Sequence, residues 1–204
     1  MFETVNGEWD LRITPKASEL KLHPTGKNFF IICEVTNVSI NSHPEIQWYK
    51  NGKLMRAEEF MKIKESPSFH HKKTLFIKNS TIKDSGAYAC EASLDGLHRT
   101  IKFEMNFHVP FTFGKTKSLQ YAKSGRDARI FCKAQGVGIQ VEWLYNGTIL
   151  ETCSRKYKYE DQNRTLVIPS FCSCQDNGTY TCRVQQFGSY NSINITVTAR
   201  EVNL

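Results

Sequence analysis

The stretch Asp84-Ser85-Gly86-Ala87-Tyr88-Ala89-Cys90 returns later in the chain as Asp176-Asn177-Gly178-Thr179-Tyr180-Thr181-Cys182. Working outward, each copy is preceded by a cysteine and then a tryptophan: Cys33 and Trp48 for the first, Cys132 and Trp143 for the second. That order suits two β-sheets packed face to face. The two cysteines bridge the sheets, the Trp packs on the bridge, and the Tyr two residues before the second Cys turns its hydroxyl back to the chain. Two such sets in the same order form an internal repeat, which decides the architecture in favour of two sandwiches in series.

The ordered Cys…Trp…Tyr-x-Cys set is the hallmark of an immunoglobulin-type domain. A length of 204 residues holds two domains of the usual size, about 100 residues each. We place them at residues 1–109 and 110–204. The cysteine separations, 90 − 33 = 57 and 182 − 132 = 50, leave less room for extra strands than a nine-stranded variable domain uses. The expected fold class is therefore all-β, with two tandem immunoglobulin-like sandwiches of the intermediate set.

Alternation supplies the strands. Trp9, Leu11 and Ile13 read as a first strand that Pro15 ends, and Phe29, Ile31, Cys33 and Val35 as a second. Ile46 and Trp48 lead to Asn51-Gly52, and Val141 and Trp143 to Asn146-Gly147; Asn-Gly tolerates the positive φ of a two-residue hairpin. Leu75 with Ile77, and Leu166 with Ile168, mark the strand before each Tyr-x-Cys motif. Residues 155–159 read as another strand of the second domain. Ile101, Phe103, Met105, Phe107 and Val109 alternate up to Pro110 as the last strand of the first domain, and Phe111 and Phe113 follow at once, with no Gly/Ser-rich linker, and read as the first strand of the second. These phenylalanines either pack within their own domains or bury a contact between them. The end of the chain, from Ala199, stays extended in pattern, as a lead into a third domain would.

Four of the seven cysteines pair as Cys33–Cys90 and Cys132–Cys182. Each closes a loop of 50 residues or more, worth about 4 kcal/mol on the chain-entropy estimate. Cys153, Cys172 and Cys174 remain. Antiparallel strands around Asp161-Gln162-Asn163 place residues near 153 opposite residues near 171. This favours a Cys153–Cys172 bridge, with Cys153–Cys174 close behind, and disfavours Cys172–Cys174 as strained. One thiol stays odd, either buried or available to a second chain. A zinc site lacks a fourth ligand. The cysteine usage points to an oxidising, extracellular compartment. Sequons at Asn37, Asn79, Asn146, Asn163, Asn177 and Asn194 agree with it, and most fall at turns or outward strand positions.

The formal charge is +7 and the isoelectric point about 9.0. Basic residues group at His70-His71-Lys72-Lys73 with Lys62 and Lys64, at Arg155, Lys156 and Lys158, and at Lys115, Lys117, Lys123, Arg126 and Arg129. Such a field suits a sulfated polysaccharide or an acidic protein face better than nucleic acid, a poor partner for a glycosylated extracellular chain. Lys156 and Lys158 share strand parity and would project from one face. Asp84 and Asp176 read as structural ion-pair partners, with Lys62 or Lys64 and with Arg155 or Lys156 respectively. Glu58-Glu59 reads as a solvated pair. No nucleophile–base pair, Gly-rich phosphate loop or metal-ligand set is present, so we expect no enzyme and no cofactor. No apolar leader opens the chain and no run approaches the roughly 20 apolar residues of a membrane span. The chain reads as a cell-surface ectodomain fragment or a secreted protein.

Beyond the fold, Gly26–Cys33 and Tyr121–Cys132 resemble the second strands of the first two domains of the neural cell adhesion molecule / Fasciclin II family. The Phe107–Phe113 junction is also similar. The resemblance implies a neuronal cell-adhesion protein of the cell membrane with a role in axon guidance, binding a protein partner, often itself, through domains such as these. It also implies heparin binding near Arg155, Lys156 and Lys158. The run after Trp143 lacks the basic residues of that family's heparin stretch, and the three extra cysteines depart from its pattern. The alternative is a heterophilic receptor or secreted binder with heparan sulfate as co-ligand. Phe111, Phe113 and Tyr121 are the aromatic candidates for a protein contact.

Overall fold

The computed structural model describes residues 9–56 and 71–200. The chain divides into two compact units, residues 1–109 and 110–204. Lys62, Lys64, His70 and the Glu58-Glu59 pair lie outside the described residues.

In the first unit, β1 (Asp10–Thr14), β3 (Phe29–Thr36) and β6 (Lys72–Ile77) form one antiparallel sheet in the order β1-β3-β6. The second sheet runs β2-β8-β7-β4-β5, from β2 (Leu22–Pro24), β8 (Leu97–His108), β7 (Gly86–Leu94), β4 (Glu45–Lys50) and β5 (Lys53–Leu54). Alternation puts Leu11, Ile13, Ile31, Cys33, Val35, Leu75 and Ile77 inside, against Trp48, Tyr88, Cys90 and Met105 of the facing sheet. Residues i and i+2 of a strand share a face, so every second residue is apolar. Cys33 and Cys90 are joined across the gap.

The second unit repeats the plan. One sheet runs β10-β14-β13, from β10 (Ala128–Phe131), β14 (Thr165–Ile168) and β13 (Lys158–Glu160). The other runs β12-β11-β15-β16-β9. Its strands are β12 (Thr148–Ile149), β11 (Ile139–Tyr145), β15 (Gly178–Gln186), β16 (Ser189–Ala199) and β9 (Leu119–Ala122). Cys132 and Cys182 are joined, and Trp143, fully buried, lies across the strand pair from Cys182.

The motif residues explain one another. Tyr88 donates its hydroxyl hydrogen bond to the Asp84 carbonyl, and Tyr180 donates to the Asp176 carbonyl at 3.0 Å. Burial pushes both phenols far up in pKa. The motif glycine leaves room for a neighbour: a Cβ on Gly178 would stand 2.8 Å from the Tyr145 ring, and one on Gly86 2.6 Å from Asn51 Oδ1. Asn51 and Asn146 then serve their hairpins twice. Each takes positive φ, and each accepts a backbone hydrogen bond from the residue after the motif glycine, Ala87 N at 2.9 Å and Thr179 N at 3.3 Å.

Alternation did not reveal β2 and β9. Both are short strands that run parallel to the last strand of their unit, β2 on β8 and β9 on β16. Phe107 belongs to the first core, whereas Phe111 and Phe113 pack against the second, edge to face with centroids 5.6 Å apart. Phe111 and Phe113 are thus partly buried core residues, and around them only Thr112 bridges, to Gln135, where a full strand was expected.

Candidate recognition surfaces

The leftover cysteines differ from the expectation. Cys172 is bonded to Cys174, with Cα atoms 5.3 Å apart, and Cys153 is an exposed free thiol. The register of β13 on β14 begins only at Lys158↔Val167. Residues 151–157 lie outside any strand, so Cys153 never arrives opposite Cys172. A single helical turn, Ser173–Asp176, curls the chain after Cys172, and Asp176 Oδ2 accepts from Cys172 N at 2.8 Å. That curl brings the two near-neighbour cysteines together.

The same turn decides the fate of the basic trio. Asp176 is almost fully buried, and its otherwise unpartnered Oδ1 stands 2.8 Å from Lys156 Nζ. The hydrogen bond to Asp176 raises the Lys156 pKa against the opposing cost of partial burial. Of the two partners expected for Asp176, Lys156 is the one used. Strand parity therefore misleads. Lys156 precedes β13 and, although exposed like Arg155 and Lys158, has its ammonium tied to the buried Asp176 carboxylate, so the structure does not present the three as one free cationic face. In the first unit Asp84 accepts from Thr81 N and Thr81 Oγ1, at 2.7 and 2.9 Å.

Five sequon asparagines, Asn37, Asn79, Asn146, Asn177 and Asn194, are exposed. Asn163 is half-buried; its Nδ2 donates to the Val141 carbonyl at 3.2 Å, and its own carbonyl accepts from Trp143 Nε1 at 2.6 Å. Nδ2 is the atom a glycan would take. We expect glycopeptide mass spectrometry of the secreted protein to find Asn163 unmodified and Asn163→Gln to leave the electrophoretic mobility unchanged.

Two surfaces stand out for recognition. The first is the outer face of β1-β3-β6. Phe30 and Phe76 face each other in register and stack with centroids 4.4 Å apart at 19°. Phe30 is 60% exposed. Beyond them lie Ile32 and Thr74, then the Lys72–Glu34 ion pair at 2.8 Å and Arg12 beside Asp10 at 3.1 Å. The face thus has an aromatic end and an end carrying both signs of charge.

The second is an open groove of about 500 Å³ between β9 and β10. Both are edge strands of their sheets. An exposed strand edge presents unpaired backbone groups. Here Gln120 covers part of it: its Oε1 accepts from Phe131 N at 2.9 Å and its Nε2 donates to Phe131 O at 2.8 Å. Leu119, Tyr121 and Phe131 are about half exposed along the groove. Arg200 lies over the Tyr121 ring at 5.2 Å, and Arg129 makes a fork to Glu160 with both contacts at 3.2 Å. Lys115, Lys117, Lys123 and Lys133 complete the lining, and none of them is ion-paired to a described residue. The sequence groups three of these lysines with Arg126 and Arg129, and offers Tyr121 separately as an aromatic candidate. It misses Lys133 and Arg200, which only the fold brings alongside.

The chain belongs to the immunoglobulin I-set family, whose domain model matches residues 12–107 and again 111–199. Among its relatives is the Zwei Ig domain protein zig-6 of Caenorhabditis elegans, 27% identical over 94% of this chain and 78% of that protein. The muscle M-line assembly protein unc-89 of the same nematode is 36% identical over 77% of this chain. The cell adhesion molecule DSCAM of Gallus gallus is 28% identical over 60% of this chain. The chain spans only 2% of unc-89 and 6% of DSCAM.

Proposed function

We propose that this chain is an extracellular recognition module of a cell-adhesion protein, and that its partner is a second copy of itself. The observation that carries the reading is the outward Phe30–Phe76 stack beside a patch of mixed charge. Exposed aromatics are the side chains that dominate protein contacts. A two-fold contact places one patch against its own copy, so a patch holding Arg12, Lys72 and Glu34 offers each charge a complement. The contact needs roughly 1,200–2,000 Å² in total.

Three disulfides favour an oxidising compartment over the cytosol, which sets this chain apart from a reading as a muscle assembly segment. The exposed sequon residues support the same placement. The adhesion reading also draws on the name of the DSCAM relative. A neuronal, Fasciclin II-type role is the finer form, supported by the resemblance of Gly26–Cys33 and Tyr121–Cys132. No group of three or more His, Cys, Asp or Glu among the described residues is placed to hold a metal, and no described helix is long and apolar enough to cross a membrane. A heterophilic role with heparan sulfate as co-ligand is the second reading. It draws on the net charge of +7, but the Asp176 ion pair takes Lys156 out of the basic trio.

The test is aggregation of beads carrying the glycosylated chain. The wild type is expected to aggregate and Phe30→Asp to abolish aggregation without altering the melting temperature. Equal aggregation of both would remove Phe30 from the contact. No aggregation of the wild type would defeat the homophilic reading.

A further inference from the structure

The groove between β9 and β10 is unlike the aromatic face of the first unit in both charge and shape. We infer that it is a docking site for an extended acidic segment of a different protein, one bearing apolar side chains between its carboxylates. Leu119, Tyr121 and Phe131 give the groove an apolar floor, while Lys115, Lys117, Lys123 and Lys133 surround it with ammonium groups. Among the described residues no acidic side chain lines it.

Charge complementarity selects the occupant. A second copy of this chain carries +7, and like charge in a groove already cationic opposes docking. The floor separates the remaining candidates. A sulfated glycan answers the lysines but brings few apolar groups to cover three half-exposed large side chains. An acidic peptide with Phe, Leu or Tyr at alternate positions answers both, because an extended chain points successive side chains to opposite sides. Gln120 sharpens the inference. By occupying the backbone N–H and C=O of Phe131 it blocks strand addition there, so recognition at that point rests on side chains. The Arg129–Glu160 fork and the Arg200–Tyr121 stack hold two further cations at the margin.

The experiment is selection from a random-peptide display library against the secreted two-domain chain, followed by titration of the enriched peptides. We expect enrichment of peptides that are net negative and carry aromatic or large aliphatic residues. Their affinity should fall by about tenfold or more with Lys117→Glu combined with Lys133→Glu, and comparably with Phe131→Ser. It should weaken as salt rises. Asn194→Gln, on β16 beside β9 and outside the groove lining, serves as a control, and unchanged melting temperatures show that all the variants fold. The inference is overturned if selection enriches no acidic peptides. It is overturned equally if binding is indifferent to Phe131, or if heparin oligosaccharides bind through the same lysines while the peptides do not compete. These outcomes are independent of bead aggregation, which reads the other surface.

Discussion

Removing the second disulfide, with Cys132→Ala and Cys182→Ala together, is expected to lower the stability of the second domain by about 4 kcal/mol. The bridge closes a separation of 50 residues between the two sheets, at a point where neither cysteine is exposed beyond 2%. Trp143, the second domain's one tryptophan, is buried against this region and reports the change. In urea the transition seen by its fluorescence should move down by roughly 1–4 M, given the usual slope for a domain of this size. Unfolding that stays within a few tenths of a kcal/mol of the wild type would show that packing alone holds the sandwich, and that the bridge is incidental.

Asp176→Ala is expected to cost about 2–4 kcal/mol. Its carboxylate is 5% exposed and serves two partners, Cys172 N at 2.8 Å and Lys156 Nζ at 2.8 Å. Losing it orphans the amide at the start of the helical turn. The ion pair itself contributes toward the lower end, because Lys156 remains 47% exposed and water screens it. The pH dependence has a defined sign. The Lys156 pKa is raised in the folded chain, so its contribution is fully present below the unfolded value of about 10.4 and is lost as pH rises through the folded value. The stability difference between wild type and Lys156→Met should therefore shrink above about pH 10.5. A difference that stays flat through this range would place Lys156 in solvent, as the polyanion reading of Arg155, Lys156 and Lys158 required.

The fold was legible because its signals are local. Leu11 and Ile13, or Ile31 and Cys33, declare a buried face within a few residues, and Asp-x-Gly-x-Tyr-x-Cys declares a tyrosine corner by itself. Where pairing is long-range and short, as in β2 on β8 and β9 on β16, no local period marks it. The expected Cys153–Cys172 bridge failed because antiparallel register was carried past the residues that obey it. The basic trio failed for a related reason. Parity sorts side chains only inside a strand, and Lys156 lies outside one, its ammonium paired with a buried carboxylate that no spacing rule weighs. The lysine groove shows the reverse. Its members were partly visible as a run of basic residues, but Lys133 and Arg200 join them through the meeting of two sheet edges. At Asn163 the sequon pattern is intact, but the carbonyl of Val141 engages its side-chain nitrogen in a hydrogen bond.

The central claim, self-association of this pair of domains, is tested most directly by sedimentation equilibrium of the glycosylated chain carrying Cys153→Ser, across a concentration series without reductant. The substitution removes the exposed free thiol, so any dimer that forms is noncovalent. The account predicts a reversible monomer–dimer equilibrium that Phe30→Asp shifts to monomer. A single monomeric species at every concentration would contradict it.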